Sequence, residues 1–332
     1  MSKITIIGKT ILNELANFDE TVPSLTIAKY LYKKFPEIFT DIEHARFHIR
    51  TYRGNIKGRN VSNKTFYREN RTPERALREY NFKPIDLSIK DFIFPHFKPL
   101  ILSDLHIPYH AAPEIEVAIE HGLKYGIDSI YLNGDILDCA RISKWSVDPR
   151  MVNFEHEREM FWSFIEFLQQ LEMPIYFKIG NHEARIESYL RSNAPELAGL
   201  DELMISRLLH LEELAITVIN DRQLTKMGKL DVIHGHEFGD SYFSPVNPAR
   251  GLFLRAKSTA LVGHNHQTSE HHENNLKGDS MACFSVGCLC NLRPGYRPFA
   301  YTKWNHGFAK VEIEQDGNFE VHNKRIIDLK VR

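Results

Sequence analysis

Two hydrophobic periods divide the chain, and the change falls near residue 95. Before it, apolar residues recur every three or four positions. "SLTIAKYLYKKF" puts Leu25, Ala28, Leu31, Tyr32 and Phe35 on one stripe, which predicts a helix. "TDIEHARFHIRTYRG" opens with Thr40-x-x-Glu43, a capping-box pattern, and continues with Ile42, Ala45, Ile49 and Tyr52. Gly54 is its expected stop. Residues 1–63 therefore read as a small helical domain resembling a helix-turn-helix. Residues 64–95 mix charges and prolines without a clean period and read as a connector.

Beyond residue 95 short β-type runs alternate with helical stretches. The runs are "LIL" (100–102), "SIYL" (129–132), "IYFKI" (175–179), "ITVI" (216–219), "LDVI" (230–233) and "ALV" (260–262). "PEIEVAIEHGLKYG" and "EHEREMFWSFIEFLQQLE" between them have helical spacing. Strand and helix in alternation predict an α/β layered domain over 96–332. Residues 184–229 read as a helical insertion broken near Pro195. Its expected role is a lid over a site or packing on the flank. The tail after Pro294 reads as returning strands with a turn at Asp316-Gly317.

Composition changes this picture little. Apolar content of 42% and charged content of 26% are those of an ordinary globular protein. No run approaches the length of a membrane span. The N-terminus has no continuous apolar segment of the signal-peptide kind. A cytoplasmic location is expected, with no membrane partner. Four sparse cysteines, Cys139, Cys283, Cys288 and Cys290, suit reduced packing residues. The net charge of −1 conceals a basic segment, "HARFHIRTYRGNIKGRNVSNK", which contains no Asp or Glu. Arg46, Arg50 and Arg53 step along one helix, and Lys57 and Arg59 follow. These five are candidate nucleic-acid contacts, although a solvated helix face has the same pattern.

The chemistry lies at the ends of the runs. "SDLH" brings Asp104 and His106, and "NGDILD" brings Asp135 and Asp138. "GNHE" brings Asn181, His182 and Glu183, "HGHE" brings His234 and His236, and "GHNH" brings His264 and His266. Ligands of open α/β sheets bind beyond the carboxyl ends of the strands, so five such clusters in order can converge on one site. Carboxylate, amide oxygen and imidazole together suit borderline divalent ions such as Mn²⁺, Fe²⁺ or Zn²⁺. The lack of thiolates argues against a structural zinc site. Alternation along an extended chain would put Asp104 and His106 on the same side. Glycines 134, 180, 235 and 263 allow sharp turns and close backbone approach.

Taken in order, "DLH … GDILD … GNHE … HGHE … GHNH" resembles the calcineurin-like metallophosphoesterases over roughly residues 98 to 312. The whole arrangement, with its N-terminal helical domain, resembles members encoded by phages and prophages, which would place it in a host cytoplasm. The resemblance implies a layered β-sandwich flanked by helices, holding two divalent metals. Manganese is the expected metal, with Fe, Zn or Ni as alternatives. By position, Asp104, His106, Asp135 and His266 would hold the first metal. Asp135, Asn181, His234 and His264 would hold the second, with Asp135 bridging. His182 would act at the scissile phosphate without binding metal, and Asp138 and Glu183 complete the catalytic set by orienting their neighbours.

The neutral Asn181 has an electrostatic reason. Two divalent cations against Asp104, Asp135 and a bridging hydroxide leave a net positive charge that attracts phosphate, and an Asp at 181 would cancel it. The expected reaction is in-line attack by that hydroxide, with metals about 3.5–4 Å apart. His182 would supply a proton to the leaving oxygen. The expected substrate is a phosphodiester of nucleic acid, and the alternative is a phosphomonoester on phosphoproteins or nucleotides. A binding module that has lost activity would not be expected to keep every one of these residues.

Overall fold

The computed structural model describes residues 3–19, 21–53, 88–142, 152–239, 246–294 and 301–332. The chain divides into two compact units, Met1–Leu87 and Ser88–Arg332.

In the first unit, helices α1 (Lys3–Leu15), α2 (Ser24–Lys34) and α3 (Ile42–Tyr52) share a core. Ile7, Ile11, Ile27, Ala28, Leu31, Phe39, Ala45 and Ile49 fill it. The expected α2 stripe is rotated: Ile27 is fully buried and Leu25 is exposed. The cap of α3 is also displaced by one residue. Asp41, not Thr40, accepts the His44 N–H at 2.7 Å, and Thr40 Oγ1 donates to the Asp41 carboxylate. An ionised Asp both satisfies a helix-end N–H and complements the helix dipole, so it outcompetes the neighbouring hydroxyl.

The second unit contains two packed sheets. Strand β1 (Phe92–Ile93) lies in the segment read as connector. Strands β2 (Pro99–Leu102), β3 (Ser129–Asn133), β4 (Ile175–Lys178) and β5 (Thr217–Ile219) follow the predicted runs. So do β7 (Leu230–Ile233) and β8 (Ala260–Val262), with β6 (Thr225–Met227) before them. Strands β9 (Ser269–Asn274), β10 (Ser280–Ser285), β11 (Gly307–Ile313), β12 (Phe319–Ile327) and β13 (Lys330–Val331) complete the set among the described residues. One sheet has the order β1-β6-β7-β8-β10-β9, the other β13-β12-β11-β2-β3-β4-β5. Strands β2 to β5 are parallel neighbours. Helices α4 (Ala112–Lys124), α5 (Phe154–Gln169) and α6 (Ala184–Asn193) lie between them in sequence, and α7 (Pro248–Ala256) precedes β8.

Period-two alternation explains why the runs are apolar throughout. Leu100, Leu102, Ile130, Leu132, Ile175 and Phe177 pack with Ile115, Ala118, Phe161, Ile165 and Leu168 of the helices. Their alternates Ile101, Tyr131 and Tyr176 pack with Met227, Val232, Leu261 and Phe284 of the other sheet. A strand covered on both faces has no polar side. The consequence for function is directional: β2, β3 and β4 end together, and β7 and β8 end against them. Among the described residues no helix is long and apolar enough to cross a membrane.

Candidate metal centre

Three of these five strand ends, those of β2, β3 and β8, turn sharply on their own donor residues. Asp104, His106, Asp135, His264 and His266 all have positive φ, between 49° and 62°. The expectation from extended alternation at "DLH" therefore fails. The chain has left the strand by Ser103, and two left-handed residues aim Asp104 and His106 inward. L-residues adopt this conformation only when their surroundings enforce it, at about 1–3 kcal/mol each. Backbone bonds supply that enforcement. Asp104 N donates to Gly134 O at 3.1 Å, His106 N to Asp135 O at 3.0 Å and Leu289 N to Asp104 O at 3.1 Å. A methyl group at Gly180 would overlap Asp135 N and Oδ1, and one at Gly263 would overlap Ser103 Oγ.

The side chains form two adjoining groups. In the first, His266 Nε2 lies 3.1 Å from Asp104 Oδ1 and 3.2 Å from His106 Nε2. His106 Nε2 is 4.0 Å from the same Asp104 oxygen. Asp104 Oδ2 accepts from Ser103 Oγ at 2.6 Å and His264 N at 2.9 Å, whereas the buried Oδ1 has no hydrogen-bond donor. In the second, His234 Nε2 lies 3.2 Å from Asp135 Oδ2 and 3.2 Å from Asn181 Oδ1. His264 offers a nitrogen to the same group, in which donor atoms of Asp135, His234 and His264 lie within 4.8 Å of one another.

The rear nitrogens set the tautomers. His106 Nδ1 donates to Asp138 Oδ1 at 2.9 Å and His234 Nδ1 to Asn133 O at 2.7 Å. Their Nε2 atoms then point inward, His106 toward His266 and Asp104 Oδ1 and His234 toward Asp135 and Asn181, an arrangement that favours a cation, whether a proton or a metal, at that spot. The field has the matching sign. Burial opposes charge on His106, yet the Asp138 hydrogen bond lifts it to about 9. Burial likewise opposes charge on His234, and Asp135 lifts it to about 10. Burial, then His234, pushes His264 down to about 4. Burial would raise Asp104, but His266 brings it below the usual carboxylate range. The donor set and its orphaned oxygen fit divalent metals.

His182 stands at the edge of both groups. Its N–H donates to Asp135 Oδ1 at 2.9 Å, and its Nδ1 donates to Asp138 O at 2.7 Å. Its Nε2 accepts from Arg185 at 2.8 Å and is 3.7 Å from Asp135 Oδ2. His106, Asp135 and His182 are also close enough to hold an ion. The Arg185 guanidinium occupies the His182 nitrogen, however, and opposes a second cation there. Glu183 is fully buried and accepts four backbone N–H groups, from Asp135, Ile136, Leu137 and Gly180, at 2.7–3.1 Å. It therefore joins the "GDILD" and "GNHE" loops and has no oxygen left over for a substrate.

Several contributors were not anticipated. Lys178 is wholly buried and pairs with Glu237 at 3.1 Å, and Glu237 accepts from the backbone of His234 and Gly235. Ser103, Asn133, Cys290 and Trp304 also touch the ligand set. A lysine in an otherwise apolar run was the one visible signal. His236 pairs with Asp221. His110 is half-buried, and its backbone bridges to Cys290.

Of the five basic candidates, Arg46, Arg50 and Arg53 are described and belong to the first unit. Arg50 is exposed, and Arg46 pairs with Glu43 at 3.1 Å. Arg53 donates to the carbonyls of Val22 and Asp19, so it serves the packing of its own unit. Lys57 and Arg59 lie outside the described residues, as does Gly54.

Known proteins can now be set beside this geometry. The chain is similar to a metallophosphoesterase from Sphaerobacter thermophilus, at 20% identity over 70% of this chain and 89% of that one, with a TM-score of 0.37. It is similar to a dimetal phosphatase from Danio rerio, at 10% identity over 70% and 96%, with a TM-score of 0.34. It is also similar to the nuclease MPE of Pseudomonas putida, at 13% identity over 68% and 86%, with a TM-score of 0.30. Scores at this level decide neither substrate nor reaction. A search of curated proteins finds no match. The family profile described as calcineurin-like phosphoesterase matches residues 97–286, more than half of the chain and every strand end that carries the donor groups. The chain belongs to the calcineurin-like phosphoesterases, and it is a metal-dependent phosphoester hydrolase.

Proposed function

We propose that this hydrolase cleaves phosphodiester bonds of nucleic acid. The observation that supports this substrate is the face of α3. Phe47 is 56% exposed, with half-exposed Arg46 beside it and exposed Arg50 one turn on. Guanidinium groups contact phosphates and an exposed aromatic ring stacks on bases, which together make a sequence-tolerant platform. The Arg46–Glu43 pair is a surface pair of little strength and leaves the guanidinium available. In this reading Arg53 contributes through the shape of the unit, and Lys57 and Arg59, which follow in the sequence, add positive charge.

At the site, Asp104, His106, Asp135 and His266 would hold one metal, and Asp135, Asn181, His234 and His264 the other. Two bound divalent cations, manganese by preference, supply an activated water and offset charge on the phosphoryl oxygens. The protein supplies orientation. Asp138 holds His106 through Nδ1 and His182 through its carbonyl. Arg185 lies against both Asp138 O and His182 Nε2, so its guanidinium gives that edge the positive charge that would receive a phosphoryl oxygen. His182 Nε2 is an acceptor while Arg185 covers it; once the guanidinium turns to the phosphoryl oxygen, this nitrogen can take a proton from solvent and pass it to the leaving oxygen.

The test compares bis(p-nitrophenyl) phosphate, p-nitrophenyl phosphate, and single-stranded and duplex oligonucleotides, all with Mn²⁺. Diester and oligonucleotide cleavage is expected. An Arg46→Ala/Phe47→Ala/Arg50→Ala variant should lose oligonucleotide cleavage and keep the small diester. Turnover of the monoester alone would overturn the proposal in favour of phosphoprotein or nucleotide substrates.

A further inference from the structure

The three imidazoles His106, His234 and His266 share one design. Each turns Nε2 toward the donor groups and has its rear nitrogen engaged by the protein. For His106 the partner is the Asp138 carboxylate, and for His234 the Asn133 carbonyl. For His266 it is a sulfur: Cys290 Sγ lies 3.8 Å from His266 Nδ1.

This cysteine is held in place from several directions. It is 3% exposed, and its carbonyl accepts from His306 Nε2 at 3.0 Å. Its backbone bridges to His110, two residues before it Cys288 bridges to His306, and between them Leu289 N donates to Asp104 O. The "CLC" segment therefore runs between the loop carrying Asp104 and the ring of His266. Trp304 packs against that ring, with centroids 4.3 Å apart and the planes tilted by 55°. The imidazole has little room to turn. Cys290, His106 and His266 offer donor atoms close enough for one ion, but the sulfur meets Nδ1, whereas Nε2 is the nitrogen that faces Asp104.

We infer that Cys290 is a positioning residue of the metal centre, accepting the His266 Nδ1–H so that Nε2 is presented to the first metal. Sulfur is a longer and weaker acceptor than the oxygens behind His106 and His234. His266 is accordingly the most weakly backed of the three imidazoles. This inference rests on His266 being a ligand and is independent of which phosphoester is cleaved.

The experiment is calorimetric titration of the metal-stripped full chain with Mn²⁺ alone. Cys290→Ala should weaken one of two binding events by about 10-fold, the lower end for loss of a ligand's outer partner, and leave the other unchanged. Cys283→Ala is the control. It removes an equally buried sulfur, whose Sγ donates to Ser258 O and to no metal-site group. It should leave both events unchanged. If Cys290→Ala does not fold, Cys290→Ser gives the same reading, with a smaller loss at the same site. In the protein loaded with diamagnetic Zn²⁺, the His266 Nδ1–H resonance should also move in either Cys290 variant. Unaltered binding of both metals in Cys290→Ala, or an equal loss in Cys283→Ala, overturns the inference. His266→Ala separates the two premises: if it leaves both binding events intact, the ligand assignment itself is what fails.

Discussion

Lys178→Met tests how the loop of His234 is held. Lys178 Nζ is enclosed at the end of β4, where it donates to Glu237 Oε1 at 3.1 Å, Asn220 O at 3.1 Å and Gln223 O at 2.9 Å. Glu237 in turn receives the N–H groups of His234 at 3.0 Å and Gly235 at 2.6 Å. Burial would raise the Glu237 carboxyl, and Lys178, followed by His236 and His234, brings it down to about 2. Methionine fills most of the lysine volume but strands a nearly buried carboxylate and two carbonyls. Removing one partner of a buried pair costs about 3–5 kcal/mol. For a unit of this size that corresponds to a Tm lower by about 6–20 °C. The assay is thermal unfolding by circular dichroism at pH 7. The double variant Lys178→Met/Glu237→Gln should recover at least half of the loss, because removing both charges together is close to neutral. A single variant melting within about 2 °C of the parent would refute the reasoning. So would a double variant no more stable than the single one.

Other outcomes follow from the same geometry. His182→Ala should keep both metals by titration and lose about 10²–10⁴ in turnover, most for poor leaving groups, and full activity would remove it from the mechanism. Glu157 is buried beside Cys139 N, at 2.8 Å, and burial pushes its carboxyl up to about 8. A carboxyl raised above its unfolded value favours the fold at low pH, and that contribution is lost as pH rises from about 4.5 through 8. Glu157→Gln should therefore be the more stable protein at pH 8, by a few kcal/mol at most, with the difference gone at pH 4.5. Equal melting temperatures at pH 8 would contradict this. Free Mn²⁺ at about a hundred times Kd should stabilise the protein by about 2.7 kcal/mol per site, reversed by a chelator, and a chelator-insensitive Tm would count against the metal centre.

The readable parts of the sequence were those in which one physical demand acted alone. "SIYL" and "LDVI" were recognisable because strands covered on both faces are apolar throughout. The donor residues stood out because polar groups directly after such runs need a reason. Strand β9, "SEHHEN", gave no such signal, since an edge strand with exposed side chains need not be apolar. Strand β1, two residues in a polar stretch, exists only because β6 is there to pair with it. The helix cap went to Asp41 instead of Thr40 through a contest between neighbouring oxygens that a motif cannot rank. Arg53 read as part of a basic stripe until the carbonyls of α2's approach claimed it. Lys178 and Glu237 are far apart in the chain, so neither announced the other.

The centre draws Asp104, His106, Asp135 and Asn181 from one sheet and His234, His264 and His266 from the other. The bond from His264 N to Asp104 Oδ2 spans 160 residues of chain. Such long-range closures form late and slowly in folding. A chain in which only one sheet has assembled offers at most part of the ligand set, and so has no hydrolytic capacity. Competence arrives only when the sheets dock in register, which makes activity a readout of completed folding. A metal ion held by donors from both sheets would tie the two layers together, slowing their separation more than it speeds their meeting.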